Sequence, residues 1–405
     1  MRGETMRIVQ VEDFFHPNSG YQINILSKYF SKFGHDVTVV CSELDKMPDY
    51  LNNFFTINKI NEDDKEYENK TGVRIIRVPI WGYISGRSLY RSNIFKVVDE
   101  LKPDILFVHS EDTAIAIQYL WKIEKKPYAL VMDNHQCDMS SHNKFREVFR
   151  WFYRLTCTPI IKRNEYKTVR LVEDDHYMQD HFDIPIELTP CITFGSDTLL
   201  FHPDERVKKS FRDQYGIPED AFVVVYAGKL DEYKGGKFLA DTLKEKFDTK
   251  KEIVFLVVGN TSGEYGKSVE ETFSNSENRI LRFPTQKYVD LALFFQAADI
   301  AIFAKECSLT FYDVQACGLP VVSEDNEINV ERCTHNNGYN FKKGNIADFR
   351  SKIQLLSEME EEKFREMASA SEQFILQNYN YEEKAREFEK LMITEIKRQL
   401  KKKHI

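Results

Sequence analysis

No stretch of this sequence stays apolar for the roughly 18 residues that a membrane-crossing helix needs. The N-terminus also lacks an apolar signal-peptide region. None of the seven cysteines (Cys41, Cys137, Cys157, Cys191, Cys307, Cys317, Cys333) forms a C-x-x-C pair. Neither a disulfide framework nor a zinc site is therefore expected, and a reducing, cytoplasmic setting fits. Excess positive charge is missing too. The formal net charge is -8, which argues against general nucleic-acid binding. G-x-G-x-x-G, P-loop and H-E-x-x-H motifs are absent, which argues against a nicotinamide dehydrogenase, a P-loop ATPase and a zincin.

What is present is a long chain of ordinary globular composition: 405 residues, 42% hydrophobic and 30% charged. That length is too great for one core and predicts two domains. Short apolar runs alternate with helical patterns, the signature of parallel sheets covered on both faces. In the first half the expected strands are Arg7–Val11, Asp36–Cys41, Val73–Pro79, Asp104–Val108, Tyr128–Met132, Thr168–Val172 and Ile186–Thr189. The apolar spacing of Tyr21–Phe33 predicts a helix ended by Gly34, and Glu43–Tyr67 gives no assignment. A second cycle follows, with strands at Ala221–Ala227, Ile253–Val258, Arg279–Phe283, Asp299–Ala304 and Pro320–Val322. The fold class expected is α/β with two Rossmann-like domains and a cleft between them. The domains would span residues 1–195 and 196–380. A charged helical segment, 381–405, would pack back toward the first.

In open parallel sheets, ligands bind beyond the carboxyl ends of the strands. That rule selects His109, Asp133 and His135, and the loop carrying His16 and Gly20. In the second half it selects Gly228–Gly236 (GKLDEYKGG) and Gly259–Gly263. Lys229 and Lys234 flank a loop that ends in two glycines at a helix start, which suits a diphosphate. Either lysine alone is more often a solvated surface charge. The stretch Phe303–Val322 reads as strand, polar turn and short helix from Leu309 to Cys317, with Ser308 as N-cap and Gly318 and Pro320 closing it. Asp313 would lie one turn into that helix, within reach of a ligand held at its start.

These motifs resemble the retaining GT-B glycosyltransferases of the family-4 group (glycosyl transferases group 1). PNSGYQINILSKYFSKFGHDVTVV resembles that family's opening, where a glycine-rich turn faces the donor. GSDTLLFHP resembles its connecting motif, and GKLDEYKG resembles G-R-L-x-x-x-K-G, whose basic residues hold the donor diphosphate. AADIAIFAKECSLTFYDVQACGLPVV resembles its signature, two glutamates with seven residues between them, followed by A-x-A-C-G-x-P-V-V. Aligned on Ala316-Cys317-Gly318, the second glutamate becomes Asp313 and the first becomes Lys305, with Glu306 one place late.

The resemblance implies transfer of a sugar from a nucleotide-diphosphate donor, UDP-linked among others, to an acceptor hydroxyl. The anomeric configuration would be retained, and no cofactor or metal is expected. A setting in cell-surface polysaccharide or glycolipid synthesis follows, with a saccharide or lipid-linked acceptor and no nucleic-acid partner. The resemblance assigns His135, Glu306, Lys229 and Lys234 to catalysis, with His109 as the other choice for the family's histidine at the donor sugar. Gly20, Lys229, Lys234, Ser308, Leu309, Thr310 and Asp313 would bind the donor, with His16, His109 and Asp133 on the acceptor side. Two readings stay open beside it: a non-catalytic sugar-nucleotide-binding subunit and a nucleotide-sugar epimerase. Independently, residues 144–170 interleave eight basic residues with aromatics, a composition suited to an anionic membrane surface at the inner face of the membrane.

Overall fold

In the first sheet the buried apolar runs line up as six parallel strands in the order β3-β2-β1-β6-β7-β8. Their spans are β1 Arg7–Glu12, β2 Asp36–Ser42, β3 Arg74–Val78, β6 Ile105–Val108, β7 Ala129–Asn134 and β8 Lys167–Arg170. A small antiparallel hairpin, β4 Ile80–Ile84 with β5 Arg87–Tyr90, stands apart from it. The second sheet repeats the arrangement as β11-β10-β9-β12-β13-β14. These strands are β9 Phe222–Ala227, β10 Ile253–Val258, β11 Arg279–Phe283, β12 Ile300–Phe303, β13 Val321–Glu324 and β14 Gly338–Phe341. Counted within each sheet, both orders read 3-2-1-4-5-6, the doubly wound pattern whose winding reverses beside the first strand. This is the two-sheet α/β architecture expected. The computed structural model describes residues 5–44, 46, 57–84, 87–136, 145–173, 175–305 and 308–402.

The chain divides into two units: Met1–Phe194 with Glu382–Ile405, and Gly195–Tyr381. The long last helix, Tyr381–Lys402, belongs almost wholly to the first. Gln399 brackets Leu130 with bonds of 2.7 and 2.9 Å, and Glu389 takes His35 at 2.9 Å. Central strands are buried end to end, FVVVYA and IVFLVV among them. That is why they read as continuous apolar runs and not as alternating ones.

Several local expectations fail for identifiable reasons. Ile186–Thr189 is not a strand. Pro185 and Pro190 bracket it, and Ile186–Leu188 forms a single 3-10 turn. The helix in the signature stretch runs Thr310–Ala316, and its N-cap position is Leu309, not Ser308. Ser308 Oγ sits 2.5 Å from Thr310 Oγ1 and accepts from the Thr310 N–H only at 3.4 Å. The expected C-terminal helix is present as Tyr381–Lys402, and a further helix, Glu361–Asn378, precedes it. Glu306, Cys137, Cys307 and Lys144 lie outside the described residues.

Candidate functional site

Each sheet reverses its winding beside its first strand, β1 or β9, so the loops following β1, β6, β9 and β12 are the ones positioned to hold ligands. In the second unit the loop after β9 is Gly228–Gly235. Its path is set by close backbone approaches. Gly259 has φ +145°, and a Cβ there would meet the Gly228 carbonyl oxygen at 1.9 Å. Gly235, at φ +74°, leads into the helix Gly236–Thr242. Asp231 accepts from the Lys234 N–H at 2.8 Å and tightens the turn.

Lys305, from the turn after β12, packs its stem against Gly235 and donates to the Glu232 carbonyl at 3.4 Å. Three lysines, Lys229, Lys234 and Lys305, therefore stand on two touching loops. Lys229 is at the surface, yet partial desolvation and the nearby Lys234 hold its ammonium below the ordinary value, with Asp231 opposing. Sequence reading treated Lys305 only as a departure from the glutamate pattern. Its place against Gly235 depends on a contact 70 residues away, which no local pattern signals.

Asp313 sits on the first turn of Thr310–Ala316 and is only 4% exposed. Its Oδ1 accepts from Ser196 Oγ at 2.7 Å and from the Tyr288 hydroxyl at 3.2 Å. Burial pushes this carboxyl up to about 8 against the pull of those two bonds, and Asp197 adds to the rise. Ser308, Leu309 and Thr310 line the turn just before it. Arg332 holds that turn from the side, over the Phe311 ring at 4.8 Å and on the Ser308 carbonyl at 3.4 Å.

In the first unit, His109 closes β6, and Asp133 and His135 close β7. Asp133 is fully buried and its Oδ2 is shared between His109 Nδ1 at 2.8 Å and His135 Nε2 at 3.2 Å. Oδ1 accepts from the Ser110 N–H at 2.8 Å. Burial works to raise Asp133, but the two imidazoles win and hold it below the usual carboxylate range. His135 shows the mirror image: burial pulls its pKa down, the Asp133 charge pushes harder, and the net shift is upward. Its ring remains 29% exposed. On the far side of His109, Nε2 faces Gln10 Oε1 at 2.9 Å.

Ser110 holds φ +63°, a strained conformation for a residue with a side chain, of order 1–3 kcal/mol. The strain places its N–H on Asp133. Among the described residues, His109, Asp133 and His135 also keep their ligand atoms within 4.8 Å of one another, close enough to share a cation.

His16 is buried in the loop after β1, where its Nδ1 accepts from Asn18 N–H at 3.2 Å. Gly20 precedes the helix Gln22–Lys32. Sequence reasoning missed Glu12, the last residue of β1, whose charge couples to both His109 and His135. It also missed Glu111, fully buried with neither carboxyl oxygen hydrogen-bonded among the described residues. Burial raises Glu12 and Glu111 alike, and lifts neighbouring Asp13 to about 8. The signal available for all three was position alone, at the carboxyl ends of β1 and β6.

Two family models match, "Glycosyltransferase Family 4" over residues 20–163 and "Glycosyl transferases group 1" over residues 207–374. A D-inositol 3-phosphate glycosyltransferase of Corynebacterium aurimucosum is 26% identical over 40% of this chain and 41% of its own length. An uncharacterized glycosyltransferase of Methanocaldococcus jannaschii is 21% identical over 61% of each. The alignments thus span less than two thirds of either relative.

Among solved structures, a glycosyltransferase from Rickettsia africae superposes with a TM-score of 0.72 at 16% identity, covering 96% of this chain and 98% of its own. The Anabaena protein HepE, solved in complex with UDP and glucose, gives 0.70 at 16% identity, covering 96% and 100%. The two models fall one on each half of a doubly wound pair of sheets that matches these structures across nearly its whole length, and the chain belongs to the family-4-like glycosyltransferases of GT-B fold.

Proposed function

We propose that the protein transfers a sugar from a nucleoside-diphosphate donor to an acceptor hydroxyl with retention at the anomeric carbon and without a metal ion. The observation that carries this is the placing of Lys229, Lys234 and Lys305 on the two loops at the switch point of the second sheet. A departing diphosphate gains negative charge in the transition state. Preorganised cations there stabilise it, and removal of one such group typically costs on the order of 2.7–4 kcal/mol. Asp313 Oδ2 would take a ribose hydroxyl, since both of its protein bonds end on Oδ1.

In the first unit, Asp133 orients His135 and keeps a proton on the nitrogen facing it. In the protonated form, which the Asp133 charge favours, the nitrogen turned away from Asp133 is a hydrogen-bond donor as well. Lys305 stands where the family pattern has its first glutamate, so the sugar contact made there differs from the pattern, and Glu306 is the carboxylate proposed for it. No carboxylate is placed against the anomeric carbon in this scheme. The acceptor proton passes to the leaving phosphate, and attack and departure share one face. The solved HepE complexes hold UDP and UDP-glucose, which makes UDP-sugars the first donors to try.

The test is incubation of purified protein with a panel of nucleotide-sugars and saccharide or lipid-linked acceptors. Donor consumption with a glycosylated product of retained configuration by NMR is the expected result. The substitutions at Lys305 and Asp313 favour one rival, a non-catalytic subunit that binds sugar nucleotides. Tight donor binding with neither transfer nor hydrolysis would establish that rival, and an epimerised sugar nucleotide would establish the other.

A further inference from the structure

We infer that the helix Arg146–Thr156 of the first unit is a docking surface for an anionic lipid bilayer. Among the described residues no helix is long and apolar enough to cross a membrane, so the contact in question is with the surface. The helix carries two apolar faces. One is used by the fold: Tyr153 and Cys157 are fully buried, and Phe149 and Tyr153 stack around Phe182 at 6.1 and 4.4 Å. Arg150 is drawn inward over the Tyr177 ring at 5.4 Å.

The other face stands in water. Phe145 is 75% exposed, Val148 65%, Trp151 63% and Leu155 57%. The spacing of Val148, Trp151 and Leu155 is i, i+3, i+7, a continuous stripe. Trp121 extends the patch from the neighbouring helix Ala114–Lys122, half exposed and edge-on to Phe152 at 6.2 Å. With large aromatic side chains presenting up to 150–250 Å² each, the exposed apolar area is on the order of 500 Å². The opposite face is already packed, so the helix cannot roll to hide the stripe.

Charge selects the occupant. The chain is acidic overall at -8, yet the patch and the next helix, Thr158–Asn164, expose Lys122, Lys125, Arg146, Lys162 and Arg163, of which Arg146 reaches Glu147 at 3.4 Å. The acids there are Glu124, engaged by Arg163; Glu147, engaged by Arg150 at 2.8 Å; and Glu165, engaged by Arg398 at 3.3 Å. Aromatic and leucine side chains flanked by cations are what an interfacial helix presents to anionic headgroups, the apolar face entering roughly 5–10 Å. Paired tryptophans suit that boundary, where one end of the ring is apolar and the other wet. The inference concerns the first unit alone and does not depend on the donor chemistry proposed for the second.

The test is flotation of the full-length protein with vesicles of phosphatidylcholine, alone or mixed equally with phosphatidylglycerol. Binding is expected to the mixed vesicles at low salt and to fall at high salt. The double substitution Trp151→Glu with Leu155→Glu changes two exposed side chains, so the fold should survive, as circular dichroism would verify. It should weaken partitioning by at least about tenfold. In a protein carrying Trp81→Phe and Trp121→Phe, the remaining Trp151 emission should shift to the blue on binding and be quenched by brominated lipid. Absence of flotation with anionic vesicles, or flotation unchanged by the double substitution, would overturn the proposal. So would a self-association abolished by the double substitution with no lipid binding, which would make the patch an interface between copies.

Discussion

Replacing Asp313 by asparagine should make the protein more stable at mildly alkaline pH, and the gain should vanish in acid. Asp313 is buried, and its carboxyl is pushed from 3.8 up to about 8. A folded pKa above the unfolded one means the stabilising contribution is fully present below about pH 4. It is then lost as the pH rises to about 8. The shift spans about four units at 1.36 kcal/mol each, so the loss is at most on the order of 5 kcal/mol, and water entry into the pocket would trim it to a few. Asparagine is close in shape, still accepts from Ser196 Oγ at its carbonyl oxygen, and never ionises.

The difference between variant and native protein should therefore be within about 1 kcal/mol near pH 4 and grow by up to about 1.4 kcal/mol per unit toward pH 8. Urea unfolding should be followed by far-ultraviolet circular dichroism. All three tryptophans (Trp81, Trp121, Trp151) lie in the first unit, so their fluorescence does not report on the unit that holds Asp313. A difference that stays flat from about pH 5 to about pH 8 would refute the reasoning, because it would mean Asp313 ionises in the folded state as it does in the unfolded one.

Lys234→Ala and Lys305→Ala should each weaken binding of a nucleoside diphosphate by about tenfold or more, with a smaller effect on the monophosphate; calorimetry with both ligands checks this, and equal losses for both would contradict the assignment. Asp133→Asn removes the charge that raises His135, so the His135 imidazole resonances should titrate at lower pH than in the native protein, and transfer activity should fall with them. An unchanged titration would disconnect the pair. The scheme uses no metal: transfer should persist in EDTA, and activity lost there and restored by manganese would turn attention to His109, Asp133 and His135 as ligands.

The scaffold was legible because its sheets are parallel and covered on both faces, so each central strand is a short unbroken apolar run such as Ile253–Val258. Edges were less so. Gly338–Phe341 reads GYNF, four residues with a glycine and an asparagine and only its two ends buried, and nothing in that composition says strand. Ile186–Thr189 was misread because two β-branched residues outweighed the flanking prolines. The loop at Lys229 and Lys234 was visible through its paired glycines, a local backbone requirement. What surrounds it was not. Asp313 meets Ser196 across 117 residues and Tyr288 across 25. Lys305 was visible as a substitution, but its contact with Gly235 was not. Side-chain partnerships that the topology creates leave no periodic trace.

The acids at the carboxyl end of the first sheet are sorted by surroundings, and the sorting bears on the proposed proton route. Asp13 is driven up to about 8 by burial next to Glu12, while Asp133, equally buried, is held low by two imidazoles. Environments that push like groups apart assign them different work. Neutral Asp13 has an O–H to donate, whereas ionised Asp133 can only accept. The Asp133 charge raises His135 and so favours its doubly protonated form, in which both ring nitrogens are hydrogen-bond donors. The strained Ser110 contributes an N–H to the same carboxylate and deepens the bias. In the proposed scheme that form of His135 is a donor and not the base, and the hydroxyl proton leaves by another path. In the proposed reaction the departing diphosphate is the group whose basicity increases as the bond breaks, and the lysines around it stabilise the charge without themselves taking the proton.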